Sequence, residues 1–195
     1  MNEGNSSYTL YTLNDYHWET ALKRVENAPI YENSHRKEMA NEVGFLGEVI
    51  AECWFDKNQI LFKDERTKTT HDYLINNKFT LDVKTKDRTV LPKAYYDNSV
   101  PLYNHDHQRP DYFLFISLVR DNAAHSKYDK TDIRRFRKAC IVGAIDIQSL
   151  EKLGKTWREG ETDTSNGTTF WTDCININMK QLISLKRIIN IWRTT

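Results

Sequence analysis

Cysteine is scarce. Only Cys53, Cys140 and Cys174 occur in 195 residues, far apart and without a CxxC pair. This argues against a disulfide framework and against a tetrahedral zinc site, so reduced thiols in a cytosolic protein are expected. Long apolar runs are also missing: none approaches the ~20 residues that cross a bilayer. Met1 to Asp15 is polar and acidic, so no secretory signal, no membrane partner and a cytoplasmic location are expected. No charge of one sign dominates, since 28 Lys and Arg face 27 Asp and Glu for a formal net charge of +1. That balance speaks against a polybasic, histone-like protein but leaves room for a locally basic groove. P-loop, GxSxG, HExxH and dinucleotide glycine patterns are all absent.

What is present suffices for a folded domain. The length permits a sizeable core without disulfides. Asp15 to Val25 reads as a short helix with Trp18, Leu22 and Val25 on one side, ended by Pro29. Ser34 caps a longer helix, His35 to Phe55, whose stripe is Met39, Val43, Leu46, Ile50 and Cys53. Gly44 and Gly47 inside it cost about 1 kcal/mol each relative to Ala, which suggests a close approach there. Strands are expected at Gln59–Phe62, Asp72–Ile75, Phe79–Thr85, Asp111–Val119, Ala139–Ile145 and Thr168–Ile175. Residues 86–110 and 155–167 read as loops. Ile147 to Leu153 reads as a short helix stopped by Gly154, and Asn178 heads a last helix, Met179 to Trp192, with Leu182, Leu185, Ile189 and Trp192 inward. Strands and helices mix without a regular βαβ rhythm, so the class is α/β or α+β with a central mixed β-sheet flanked by helices.

The informative stretch runs from Thr70 to Lys86. Side chains alternate along a strand, so Phe79, Leu81 and Val83 face one way and Thr80, Asp82 and Lys84 the other. Asp82 and Lys84 then stand about 7 Å apart. A two-residue turn at Asn76-Asn77 puts Asp72 on the apolar face with Leu81. A three-residue loop, Asn76-Asn77-Lys78, pairs residue 75 with 79 and sets Asp72 beside Asp82. Two opposed carboxylates repel unless something neutralises them, and a divalent cation does so.

Asp72, a hairpin, then Asp82-Val83-Lys84, preceded by Gly44-Phe45-Leu46-Gly47-Glu48 on a helix, resembles the PD-(D/E)XK nuclease superfamily, the restriction-endonuclease-like fold. The resemblance covers roughly residues 40–120, and His71 stands where the family name has proline. It implies one nuclease domain over 1–195, with an N-terminal extension at 1–33, a catalytic core at 34–120 and completion of the sheet at 121–195. It implies that Asp72, Asp82 and the Val83 backbone carbonyl hold Mg²⁺, with Mn²⁺ as a substitute, and that Glu48 joins them directly or through water. Lys84 would orient or deprotonate the attacking water or stabilise charge on the phosphate. The implied activity is Mg²⁺-dependent hydrolysis of DNA phosphodiesters, in a phage, mobile-element, defence or repair setting. RNA as substrate and an inactive nucleic-acid- or protein-binding module on the same fold are the alternatives, and a second copy in a homodimer is a candidate partner.

Glu52 rivals Glu48 for the helix position, and Glu42 reads as a solvated helix charge. Lys86, Arg88 and Lys93 follow the Asp82 strand and are candidate phosphate contacts. So are Arg134 and Arg135 in the basic run that also holds Lys127, Lys130, Arg137 and Lys138. Tyr95, Tyr96, Tyr103 and Trp157 are candidates for stacking on bases. His105-Asp106-His107 reads as a solvated loop.

Overall fold

The computed structural model describes residues 7–27, 37–102, 107–121 and 131–194, except the side chains of 37–41. Pro29, Ser34, His35, the Met39 side chain, Tyr103, His105, Asp106, Lys127 and Lys130 lie outside the described residues. The protein is of mixed α and β class, with four α-helices among the described residues.

The central element is a six-stranded sheet. It contains β1 (Thr9–Thr12), β2 (Phe62–Asp64), β3 (Tyr73–Ile75), β4 (Phe79–Arg88), β6 (Tyr112–Arg120) and β7 (Phe136–Asp146). Their order is β1-β7-β6-β4-β3-β2, and only the β4–β6 pair is parallel. A second, three-stranded sheet joins β5 (Asp97–Pro101), β11 (Cys174–Asn178) and β8 (Lys155–Trp157), and β9 (Thr162–Asp163) pairs with β10 (Thr168–Thr169). Residues 86–110 and 155–167 are therefore not loops throughout. Their short polar strands lack the apolar alternation that marks a strand in sequence. Strand β2 begins at Phe62 rather than Gln59, because Gln59 has a φ of 53° and ends the helix turn.

Apolar residues divide the molecule at the sheet. On one face α1 (Asp15–Asn27), α2 (Lys37–Lys57) and α4 (Leu185–Arg193) cover Leu81, Val83, Leu114, Ile116 and Ile141. From α2, Leu46, Ile50, Trp54 and Phe55 are fully buried, each worth roughly 1.5–3 kcal/mol relative to exposure. On the other face, α3 (Ile147–Leu153) and β11 pack on Phe113, Phe115, Val142 and Ile145. Helix α1 turns His17, Trp18 and Ala21 inward, not Leu22, and Trp18 Nε1 donates to the Phe136 carbonyl at 3.2 Å. The closing segment is not one helix. Ile183 pairs with Ala144 as an isolated bridge, which draws the chain out straight between a 3₁₀ turn at Met179–Gln181 and α4. Ile188 rather than Ile189 is then fully buried on α4, together with Trp192.

Only one of the two α2 glycines meets a close approach. A Cβ on Gly47 would lie 1.9 Å from Thr85 Oγ1 on β4, whereas a Cβ on Gly44 would meet nothing within 4 Å. Gly154, which follows α3, has an ordinary φ of −75°, and its missing side chain makes room for Ile175 instead. Gly47→Ala is expected to lower stability by about 1–3 kcal/mol through overpacking, and Thr85→Ala should restore it. Gly44→Ala should gain up to about 1 kcal/mol from helix propensity. Urea denaturation of the three variants checks this. Equal effects at the two glycines would show that Gly47 does not set the helix–strand distance.

Candidate active site

The β3–β4 hairpin has the three-residue loop. Ile75 pairs with Phe79, and Asn76 and Asn77 take φ values of 50° and 54°, a left-handed conformation that asparagine tolerates. The regular ladder starts at Tyr73, which is opposite Leu81. Asp72 stands at the bend just before it and is tied to β4 twice. Its N–H donates to the Leu81 carbonyl at 2.9 Å, and its Oδ2 accepts from Val83 N–H at 2.7 Å. A third bond, from Glu65 N–H to the Asp72 carbonyl at 2.8 Å, fixes the bend to the β2 side.

Asp82 is buried on β4, and its Oδ2 lies 2.5 Å from Lys84 Nζ. That ion pair offsets the charge of the buried carboxylate. Burial, then Asp82, then Glu48 raise the Asp72 carboxyl well above the ordinary carboxylate range, against the Val83 N–H and Lys84. Glu48, on α2, is likewise raised by burial, although Arg66 Nη1 donates to it at 2.8 Å. Three acids and Lys84 thus form one electrostatic unit, as their mutual influence on Asp72 shows.

Glu52 adds to the rise at Glu48 but is itself held elsewhere. It faces Arg24 at 2.5 Å and accepts from Tyr73 Oη at 2.7 Å, which ties α2 to α1 and β3. Glu42 is not a freely solvated charge, because it is half-buried and within electrostatic range of Arg135.

Two neighbours were not singled out in the sequence. Arg66 bridges Glu48 to Asp64, donating from Nε to Asp64 Oδ1 at 2.8 Å, and lies over the Tyr73 ring. Glu65 is buried among Lys68 at 2.7 Å, Lys63 at 2.9 Å and His71 Nε2 at 2.9 Å, which hold its carboxyl at about 2. His71 thus serves this cluster. The charge-dense run Lys63 to Lys68 was the available signal, but only the β2–β3 register shows which way it points.

The expected phosphate contacts fare differently. Lys86 Nζ donates to the Asp97 carbonyl at 3.2 Å. Arg88 donates to Ser117 Oγ at 2.9 Å and to the Asp97 carbonyl at 2.7 Å. Both therefore fasten β5 to β4, and burial lowers the Arg88 pKa. Arg135 is buried, with Nη1 on the Thr131 and Asp132 carbonyls and its guanidinium over Phe136, so it is not a surface cation. Arg134 is exposed but chelated by Asp132, with Nε 2.9 Å from Oδ1 and Nη2 2.6 Å from Oδ2. Lys93 is exposed beside Tyr95 and Tyr96. Trp157 is stacked on Phe170 at 4.7 Å and is not open to a base, whereas Tyr95 is 62% exposed. The three cysteines are free thiols.

Among the described residues, no group of three or more His, Cys, Asp or Glu is placed to hold a metal ion. Mg²⁺ commonly uses only one or two carboxylates with waters, and the repelling carboxylate pair Asp72 and Asp82 fits that hard-oxygen demand. The Val83 carbonyl points to the same strand edge as its N–H, the edge Asp72 occupies. Glu48 would have to leave Arg66 to join them.

Without a cation, ionised Asp72 is destabilising at neutral pH. Its pKa is raised in the folded state, so its contribution is fully favourable below the ordinary Asp value of about 3.9 and is lost as pH rises through the elevated one. Asp72→Asn should therefore be more stable than wild type at pH 7 in EDTA, and the gap should close toward pH 3.5. Added Mg²⁺ should raise the melting temperature of wild type only. Thermal denaturation across pH, with and without Mg²⁺, measures both, and a less stable Asp72→Asn at pH 7 would contradict the assignment.

Among the described residues, no helix is long and apolar enough to cross a membrane. Compared with known proteins, the chain matches no family model and no curated protein.

Proposed function

We propose that the chain is a Mg²⁺-dependent nuclease of the PD-(D/E)XK, restriction-endonuclease-like type, acting on DNA. The observation that carries this reading is the anchoring of Asp72 on Val83 N–H, beside Asp82 and Lys84, within electrostatic range of Glu48. A strand–hairpin–strand followed by the parallel strand β6 provides the setting. Asp72, Asp82 and the Val83 carbonyl would hold the metal. When bound, the ion supplies Lewis acidity toward the phosphate and a more acidic water. The protein's own part is to keep two carboxylates at a fixed separation through the hairpin. Lys84 presents an ammonium group that donates to charge developing on the phosphate. Arg66 holds Glu48 until a cation competes for it.

An inactive binding module is the second reading, favoured by the closure of Lys84 on Asp82 and of Arg66 on Glu48. Plasmid nicking with Mg²⁺ tests the first. Asp82→Ala and Lys84→Ala should each cut at least about 100-fold more slowly than wild type. Equal rates in all three proteins would sink it. Calorimetric titration with Mg²⁺ or Mn²⁺ separates the second, because an inactive module should show no heat that depends on Asp82.

A further inference from the structure

A cavity of about 430 Å³ lies at the far end of the sheet, where β4 and β6 finish and β7 begins. Its size falls in the ~300–1,000 Å³ range of small-molecule sites. Val90, Leu91 and Val119 line it with apolar surface, and Lys93, Arg137 and Lys138 line it with positive charge. Arg120 and Asp121 complete the charged lining; Arg120 is engaged by Asp87 through 2.8 and 2.5 Å contacts, and Arg137 lies over the Trp18 ring at 5.0 Å. Positive charge is thus in excess. Val90 and Leu91 are 48% and 39% exposed, large apolar side chains left in water at the mouth of a cationic cleft.

The parallel register pairs Arg88 with Val119, so the cavity lies just beyond the ends of β4 and β6. Thr89 is seven residues beyond Asp82, about 23 Å along the strand. Lys86 and Arg88, which lie between the two along β4, hold the start of β5 at the Asp97 carbonyl. The cavity is therefore a separate site and not a wall of the acidic one.

Apolar walls under a cationic rim suit a ligand with an apolar ring at one end and phosphate at the other. We infer that this cavity binds a nucleotide unit, with its base or sugar against Val90, Leu91 and Val119 and its phosphate at the exposed Lys93 and Lys138. The unit is either part of a polynucleotide or a free nucleotide. The inference rests on the cavity lining and does not depend on the nuclease reading.

Fluorescence polarisation tests it on the whole protein in EDTA, where no cation supports cutting, with labelled hexathymidylate as the probe and AMP and inorganic phosphate as competitors. Lys93→Gln/Lys138→Gln alters two exposed side chains and should weaken hexathymidylate about tenfold. The slope of log affinity on log salt should fall by about 0.7 for each phosphate that is no longer neutralised. Lys152→Gln/Lys180→Gln removes the same charge elsewhere on the surface and should change little. If AMP competes, a free nucleotide suffices. If only hexathymidylate binds, the site is one for polynucleotide; either result upholds the inference. It is overturned if no probe binds, if the two double variants behave alike, or if inorganic phosphate competes as well as AMP. A protein that binds but does not nick plasmid would refute the nuclease reading and leave this one standing.

Discussion

The site depends on one hydrogen bond, from the Val83 N–H to the Asp72 carboxylate. It joins the bend before β3 to the middle of β4, and it brings Asp72 up against Asp82 in surroundings that resist its ionisation. The rest of the region answers that cost. Lys84 sits on Asp82, Arg66 on Glu48, and the Glu65 cluster anchors the bend from the β2 side. An isolated carboxylate would gain nothing from this placement. An array of carboxylates that raises the pKa of its own members is poised to take up positive charge.

The backbone that carries the array is comparatively ordinary. Helix α2 buries one face against β4, and the missing side chain at Gly47 lets it come near enough that Glu48 acts on Asp72. Glu52, one turn further on, points to Arg24 and Tyr73 and serves the packing of helices and sheet. A single turn of helix thus separates a residue of the candidate chemistry from a residue of the scaffold.

Much of this was legible in the chain. Apolar spacing marked α2 and, weakly, α1; apolar runs marked β6 and β7, Gly154 marked the end of α3, and alternation along 79–85 put Asp82 and Lys84 on one face of β4. The hairpin was reduced to two registers, and the three-residue loop is the one found. Three things were not legible. Asp72 lies at a bend outside the regular ladder, so its reach to Val83 N–H does not follow from counting. Ile183 pairs with Ala144 across a long sequence separation, which interrupts a segment that is helical by pattern. The small strands β5 and β8 are polar, because their partners and not their own alternation make them strands.

Lys86 and Arg88 sit in a row with Lys84, and a linear reading assigns all of them to a polyanion. Two of the three are committed to one backbone carbonyl, that of Asp97, and to Ser117 of the fold itself. A cation so engaged has few mobile ions to give up when a polyanion arrives. The strand therefore contributes less to counterion release, and so to the salt sensitivity of any nucleic-acid complex, than its count of basic residues suggests.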